Sequence, residues 1–325
     1  MDVITFGEAM VRLTPPNNRR LEQAYSLDVE IGGAELNTAV GLSRLGRRAA
    51  WVSRLTHNPL GRLIVNRARE AGVIEQVIFT DADRVGVYFL EQGAAPRGGG
   101  IVYDRADSAM ARIMPGMIDW QAVFTGATLF YVTGITAALS DSAAQATLEA
   151  LATAKAAGLT TCLDPNYRSK LWTVEHARDW LQNAIQYVDV LVTSPDDLER
   201  FFGIDVTNLE AAALAMTSQF NLVALALTLR ESTSVWHNTV SAVGVAGGRF
   251  VQAPSYAVEV VDRLGAGDAF VAGLLHGLLD ADLDKGLAYG TAMYALKHSI
   301  PGDFPWLTAA EVEALMAGGG LRISR

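Results

Sequence analysis

Apolar and polar positions along the chain follow two rhythms. From Thr128 onward, short apolar runs alternate with stretches whose apolar residues recur at helical spacing. The order reads strand Thr128 to Val132, helix Ala143 to Ala157, strand Thr160 to Leu163, helix Val174 to Ile185, strand Val188 to Thr193, helix Asp196 to Phe202, helix Leu209 to Ser218 and strand Leu222 to Leu229. Apolar strands separated by helices of this length need crossover connections, which predicts an α/β fold with a mainly parallel sheet covered by helices on both faces. The N-terminal part keeps the same beat. A buried strand at Val3 to Gly7 is followed by a helix opened by Gly32-Gly33 and stopped at Gly46, strand Ala50 to Leu55, helix Leu60 to Ala71 ending at Gly72, and strand Val77 to Thr80.

The second rhythm has a period of two. Glu8 to Thr14 alternates apolar and polar residues, which suits a strand with one wet face. After the Pro15-Pro16-Asn17-Asn18 turn, Leu21 to Ile31 is expected to return as a second strand of the same kind. Val85 to Glu91 and Ile101 to Ala109 form a strand pair around the Gly93 to Gly100 loop. Residues of about 8–31 and 85–112 together predict a small sheet outside the main alternation, in the position of a lid. Ser234 to His237, Val240 to Val245 and Arg249 to Ala253 read as short antiparallel edge strands, and helices Asp284 to His298 and Thr308 to Met316 close the chain.

Composition narrows the partners. With 325 residues, half of them hydrophobic, the chain can bury a large core and is expected to form one α/β domain over residues 1–325. A net charge of −9 argues against nucleic acid or an anionic membrane as the main partner, so an anionic ligand must be held by local groups. The single cysteine, Cys162, lies in an apolar strand and fits a reducing compartment. The N-terminal residues lack the cationic and apolar regions of a signal peptide, and a cytoplasmic location is expected.

The candidate chemistry centres on Val260 to Leu279, where an extended segment meets a glycine turn at Gly265 to Gly267 and then an apolar-faced helix with Asp268 in its first turn. A helix start offers unpaired N–H groups and the positive end of the macrodipole, and a turn without side chains makes a phosphate seat. Asp268 would repel a phosphate, yet it would serve a hydroxyl that must lose its proton beside one. On that reading the N–H groups of Ala266, Gly267 and Asp268 stabilise a transferring phosphoryl group while the carboxylate orients and deprotonates the acceptor. The plainer reading is an N-cap and a turn. Gly32-Gly33 with Asn37 one turn later fits either a plain loop or a backbone that approaches a ligand. Ligands of parallel sheets sit beyond the C-terminal strand ends, where the candidates are Thr133-Gly134-Ile135, Asp164 to Arg168, Thr193 to Asp197 and Thr228 to Glu231. Arg105 and Arg168, converging on one pocket, would grip a carboxylate by paired hydrogen bonds; separately, each would form an ordinary surface ion pair. Asp196 and Asp197 suit either Mg²⁺ held through water or a helix dipole. His276, inside an apolar helix, reads as a core or helix-end residue.

Gly32-Gly33-x-x-x-Asn37-x-Ala39 with Arg44-Leu45-Gly46, and Asp262-Arg-Leu-Gly-Ala-Gly-Asp268-Ala-Phe, resemble the N- and C-terminal signatures of the ribokinase-like (PfkB) carbohydrate kinases. Within that family Tyr103-Asp104-Arg105-x-x-Ser108-Ala109, Asn166-Tyr167-Arg168-x-Lys170-Leu171-Trp172, Thr228-Leu229-Arg230-Glu231-Ser232 and Leu296 to Phe304 are most similar to the 2-keto-3-deoxygluconate kinases. The resemblance implies a ribokinase-like doubly wound fold with a β-sheet lid, and ATP-dependent phosphorylation of the 6-hydroxyl of 2-keto-3-deoxygluconate in sugar-acid catabolism. It implies Asp268 as the base, with Gly265, Ala266 and Gly267 as the anion hole. Gly33, Asn37, Tyr88, Tyr103, Arg105, Ile135 and Arg168 would contact the sugar acid. Ser194, Thr228, Arg230, Gly265 and Gly267 would contact the nucleotide, and Asp197 would hold Mg²⁺ through water. Ser194-Pro195-Asp196-Asp197 stands where the family usually carries Asn-x-x-Glu, so the charge sits on a shorter arm. Whether a monovalent cation binds beside Asp262 is left open, and a lid sheet with one apolar face suits pairing with another subunit, so a homodimer or higher homo-oligomer through the lid is expected. A kinase for a neutral sugar such as fructose and a non-catalytic sugar-acid-binding protein are the competing readings.

Overall fold

A computed structural model of the protein describes residues 1–232 and 234–319; residue 233 and residues 320–325 of the expected 1–325 span lie outside the described residues. The main sheet contains β1 (Val3–Phe6), β4 (Ala49–Thr56), β5 (Ile74–Thr80), β8 (Leu129–Thr133), β9 (Thr160–Asp164), β10 (Val190–Thr193), β11 (Ala224–Ser232), β12 (His237–Ala246), β13 (Arg249–Gln252) and β14 (Tyr256–Glu259). Its order is β13-β12-β11-β10-β9-β8-β1-β4-β5, with β14 paired to β12. All neighbours from β5 to β11 run parallel, and β12 to β14 add an antiparallel edge.

β1 shows why the sheet is covered on both faces. Its residues are all buried, and because successive side chains alternate, Val3 joins one core cluster while Ile4 and Phe6 join the other. The Val3 face is packed by α1 (Ala34–Arg44), α2 (Pro59–Glu70), α9 (Ala266–Leu278), α10 (Leu283–Lys297) and α11 (Ala309–Met316). The other face is packed by α3 (Trp120–Phe124), α5 (Asp141–Ala156), α6 (Val174–Ala184), α7 (Pro195–Phe202) and α8 (Leu209–Gln219), with Phe6 edge-on to Trp120 at 5.0 Å between ring centroids. The short α4 (Gly134–Ala137) follows β8 directly.

The lid is a four-stranded sheet in the order β3-β2-β6-β7, built from β2 (Met10–Thr14), β3 (Asp28–Gly32), β6 (Val87–Glu91) and β7 (Gly100–Asp104). Two expectations need correction here. Of this segment only Asp28–Gly32 pairs with β2, while Leu21–Gln23 is a single 3₁₀ turn, since residues 21–27 have no partner strand to hold them extended. The supposed wet face of β2 is also dry: Arg12, at its centre, is 2 % exposed. It stays charged there because it donates to Asp262 and Asp303, each at 2.6 Å. The expected Ser234 to His237 strand is likewise absent, the strand proper being the longer β12, and β14 went unforeseen because its four residues carry an apolar signal too short to stand out.

Candidate functional site

Strand order reverses beside β1, where the chain runs outward through β4 to β5 on one side and from β8 to β11 on the other. Such a reversal opens a crevice beyond the C-terminal strand ends. Glu8 follows β1, Ile135 opens α4 after β8, Asp164 ends β9, Ser194 follows β10 and Thr228 lies in β11. The first turn of α9 lines the same crevice.

Gly265 begins that turn with φ +78°, and a Cβ there would overlap the carbonyl oxygen of Asp303, so both backbone and packing call for glycine. Gly267 differs: a Cβ there would meet no protein atom within 4 Å. Its missing side chain serves no contact inside the protein and keeps the floor of the crevice open. Asp268, half-buried one residue on, accepts a hydrogen bond from Asn37 Nδ2 at 2.7 Å. Burial pushes its carboxyl up to about 6, while the Asn37 bond and the Arg168 guanidinium pull it down and Asp303 adds to the rise. A carboxylate so tuned is ionised at neutral pH and still basic enough to take a proton.

Two pockets meet at this turn. The first, a cavity of about 100 Å³, is lined by Gly33, Asn37, Tyr88, Tyr103, Arg105, Ile135 and Arg168 together with Gly265 and Asp268. All seven residues expected to contact the acceptor are therefore brought to one cavity. Their states differ from simple expectation. A Cβ on Gly33 would overlap the Glu8 carbonyl oxygen, so that glycine answers to packing within the fold. Arg105 is buried and donates through Nε to Glu8 Oε2 at 2.8 Å and through Nη2 to the same oxygen, so it enters the pocket already paired. Arg168 is exposed, and its Nη1 donates to the Tyr167 carbonyl at 3.1 Å. The Tyr88 hydroxyl donates to Asp303 Oδ2 at 2.6 Å, and the Tyr103 ring lies under Arg105 and Lys170, 5.6 and 5.8 Å from its centroid. Ile135 is fixed by its N–H, which donates to Thr133 Oγ1 at 3.1 Å.

The second pocket is lined by Ser194, Asp197, Thr228, Arg230, Arg263, Ala266 and Gly267, and it shares Arg168, Gly265 and Asp268 with the first. Ser194 is the N-cap of α7, its hydroxyl accepting from Asp197 N at 3.3 Å, so its side chain has a structural task of its own. Asp197 pairs with Arg200 at 2.7 Å, and burial raises its carboxyl against the pull of Arg200. Asp164, also lining this pocket, is pushed by burial to about 7. His276 sits at the end of α9, stacked on Tyr289 and bonded to Arg47, and burial lowers it to about 4, so it is a neutral helix-end residue. Cys162 is wholly buried in β9.

Sequence reasoning passed over Glu8, Arg12 and Asp303. Arg12 showed one usable signal, a charged residue amid apolar neighbours in a strand. Asp303 sat in a Gly-Asp-Phe-Pro turn with nothing to mark its partner.

The geometry defines an α/β protein in which a glycine turn and a carboxylate of raised pKa lie between two pockets, one of them lined in part by the small sheet. Residues 1–302 match the profile described as pfkB family carbohydrate kinase, and the chain belongs to that family. It is a sugar kinase. It is 39% identical over 325 residues, covering 100% of this chain and 99% of the relative, to a 2-dehydro-3-deoxygalactonokinase of Haloferax volcanii. A 2-dehydro-3-deoxygluconokinase of Bacillus subtilis is 28% identical, over 96% of this chain and 94% of that protein. The crystal structure of a 2-dehydro-3-deoxygluconokinase from Thermotoga maritima superposes with a TM-score of 0.94 at 37% identity, covering 98% of this chain and 100% of that one.

Proposed function

We propose that the protein transfers the γ-phosphoryl group of ATP to the 6-hydroxyl of 2-keto-3-deoxygluconate. The observation that carries this reading is one cavity lined at once by Asp268, the Gly265 turn, Arg105 and Arg168. The two guanidinium groups suit the carboxylate of a sugar acid, which fructose lacks. Arg168 has donors to spare, and Arg105 keeps Nη1 while Glu8 fixes its orientation. Tyr88, Tyr103, Asn37, Gly33 and Ile135 shape the rest of the acceptor site. Asp268 accepts the proton of the 6-hydroxyl as its oxygen attacks the γ-phosphorus. The bond from that phosphorus to the bridging oxygen of ADP breaks, while the N–H groups of Ala266, Gly267 and Asp268 stabilise the transferring group.

The nucleotide is assigned to the second pocket, with Thr228, Arg230 and Gly267 toward it and Ser194 acting through its cap. Mg²⁺ would supply charge neutralisation between the phosphates. Among the described residues no group of three or more His, Cys, Asp and Glu could hold a metal ion alone. An ion held beside nucleotide phosphates needs only one or two protein carboxylates, its shell being completed by phosphate and water, and Asp164, Asp197 and Asp268 are the carboxylates lining this pocket. Closure of the lid would keep water from the phosphoryl group.

The relatives' names divide between the gluconate and galactonate acids. A coupled assay with 2-keto-3-deoxygluconate, its C4 epimer 2-keto-3-deoxygalactonate, and fructose tests the reading. Turnover of either keto acid at least a hundredfold above fructose supports the acid site, the ratio of the two epimers assigns the sugar, and preference for fructose overturns it. The lid's outer face aligns Val29, Leu13, Phe89 and Val102 across its four strands, and Val29 and Val102 are 46% and 56% exposed. This row supports a homodimer through the lid, which a mass measurement by light scattering tests: a monomer at micromolar concentration removes it.

A further inference from the structure

Lys297, the last residue of α10, has no exposed surface. A lysine wholly out of water needs acceptors for its ammonium. It finds two main-chain carbonyl oxygens, those of Ile300 at 3.0 Å and Asp262 at 3.4 Å. These belong to the segments on either side of the anion-hole turn. The Asp262 carboxylate accepts from Leu264 N and Gly302 N, each at 3.1 Å, while the Asp303 carbonyl oxygen packs directly on Gly265. Two cations, Arg12 and Lys297, thus face two buried carboxylates, Asp262 and Asp303. Removing Lys297 would take a positive charge from this carboxylate cluster, which Glu30 and Asp268 adjoin, behind the seat for a phosphate. Main-chain carbonyls with a nearby carboxylate are also the donor set a monovalent metal ion would use, and the ammonium already fills it, so a bound cation beside Asp262 does not fit this chain.

We propose that the Lys297 ammonium is the built-in cation of this kinase, joining residues 260–264 to residues 298–303 behind the anion-hole turn and making phosphoryl transfer independent of added K⁺ or NH₄⁺. The proposal rests on the reading of Gly265 to Asp268 as the phosphoryl seat. Lys297 touches neither substrate; it is a positioning residue.

The test compares the full-length wild type and Lys297→Met in KCl, NH₄Cl and tetramethylammonium chloride at equal ionic strength. Melting temperature is read without substrates and turnover is read separately. For the wild type, kcat is expected to agree within about twofold across the three salts, since the internal cation is carried by the chain itself. Lys297→Met is expected to melt at least about 5 °C lower and to lose about tenfold or more in kcat, with both losses partly reversed by KCl or NH₄Cl and not by tetramethylammonium. A wild type whose kcat or melting temperature rises severalfold or by several degrees with K⁺ overturns the proposal. So does a variant that matches the wild type in tetramethylammonium, or one whose losses no small cation reverses. Should Lys297→Met fail to fold in any salt, the salt response of the wild type decides alone. An active Asp268→Asn enzyme would instead sink the phosphoryl-seat reading, and the salt response of melting does not depend on that outcome.

Discussion

The acceptor pocket and the nucleotide pocket share a wall at Gly265 and Asp268 and are built in opposite ways. On the acceptor side, Arg168 apart, the polar groups are mostly buried and already bonded to one another: Arg105 to Glu8, Tyr88 to Asp303, and, behind them, Arg12 to both Asp262 and Asp303. On the nucleotide side Arg230, Arg263 and Gly267 are exposed, and the glycine faces open space. The first pocket is organised before its ligand arrives, which lowers the ordering cost of holding a small polyol acid in register. The second relies on the ligand's own phosphates and metal to complete it. Variants placed across the shared wall can test whether that contrast is functional.

The largest effect is expected at the wall itself. Asp268→Asn should lower kcat on the order of a thousandfold, the scale of a lost general base. Its stability should move the other way. Burial raises the Asp268 pKa from 3.8 to about 6, so at neutral pH its ionisation opposes folding, and that cost shrinks as pH falls below about 6 and is gone below the unfolded-state value. Asparagine removes it, so the melting temperature at pH 8 should hold or rise. A fall in melting temperature together with wild-type turnover would show a structural cap and nothing more.

The two arginines separate organisation from contact. Arg105→Leu strands the buried Glu8 carboxylate, so a loss of about 3–5 kcal/mol in stability should accompany a drop on the order of a hundredfold in kcat/KM for the sugar acid. Arg168→Leu removes an exposed group; its stability should stay within about 0.5 kcal/mol, while kcat/KM for the acid falls by about tenfold to a hundredfold. Neutral sugars should be far less affected by either change, and equal losses on acid and neutral sugars would remove the carboxylate assignment.

These differences mark how far the sequence was legible. The parallel sheet followed from apolar strands spaced by helices, and several residues around the cavity sit on a local signal, a glycine turn, an arginine after a strand or a polar residue past a strand end, whereas Tyr88 and Tyr103 could be named only through the family resemblance. What could not be read was pairing over long range. Arg12 and Asp303 lie at opposite ends of the chain, and the alternation of β2 says only that position 12 is polar; whether it meets water or a carboxylate is decided by the loop before α11. Glu8 and Arg105 are hidden from sequence in the same way, which is why the sequence left Arg105 between a ligand-gripping arginine and an ordinary surface ion pair and pointed to no buried partner.

The pH response is a smaller effect on the same wall. Only ionised Asp268 can accept a proton, so kcat/KM should decline as pH falls through about 6 and by about tenfold for each further unit. The fall should be absent in residual Asp268→Asn activity. A limb near pH 4 would mean that the carboxylate is less enclosed in solution than its burial here implies.

Gly267→Ala is the mildest change and bears most directly on the nucleotide side. Gly267 does not lie in the left-handed region, where alanine would be strained, and the added methyl meets no protein atom. Alanine also favours a helical turn over glycine, by up to about 1 kcal/mol in a helix interior, so the folded protein should be as stable or slightly more so. If the space above Gly267 is kept for phosphate, the methyl intrudes there alone, and KM for ATP should rise severalfold while KM for the sugar acid stays unchanged. An unchanged KM for ATP would make the glycine a feature of the turn and erase the contrast between the two pockets at the point where it is sharpest.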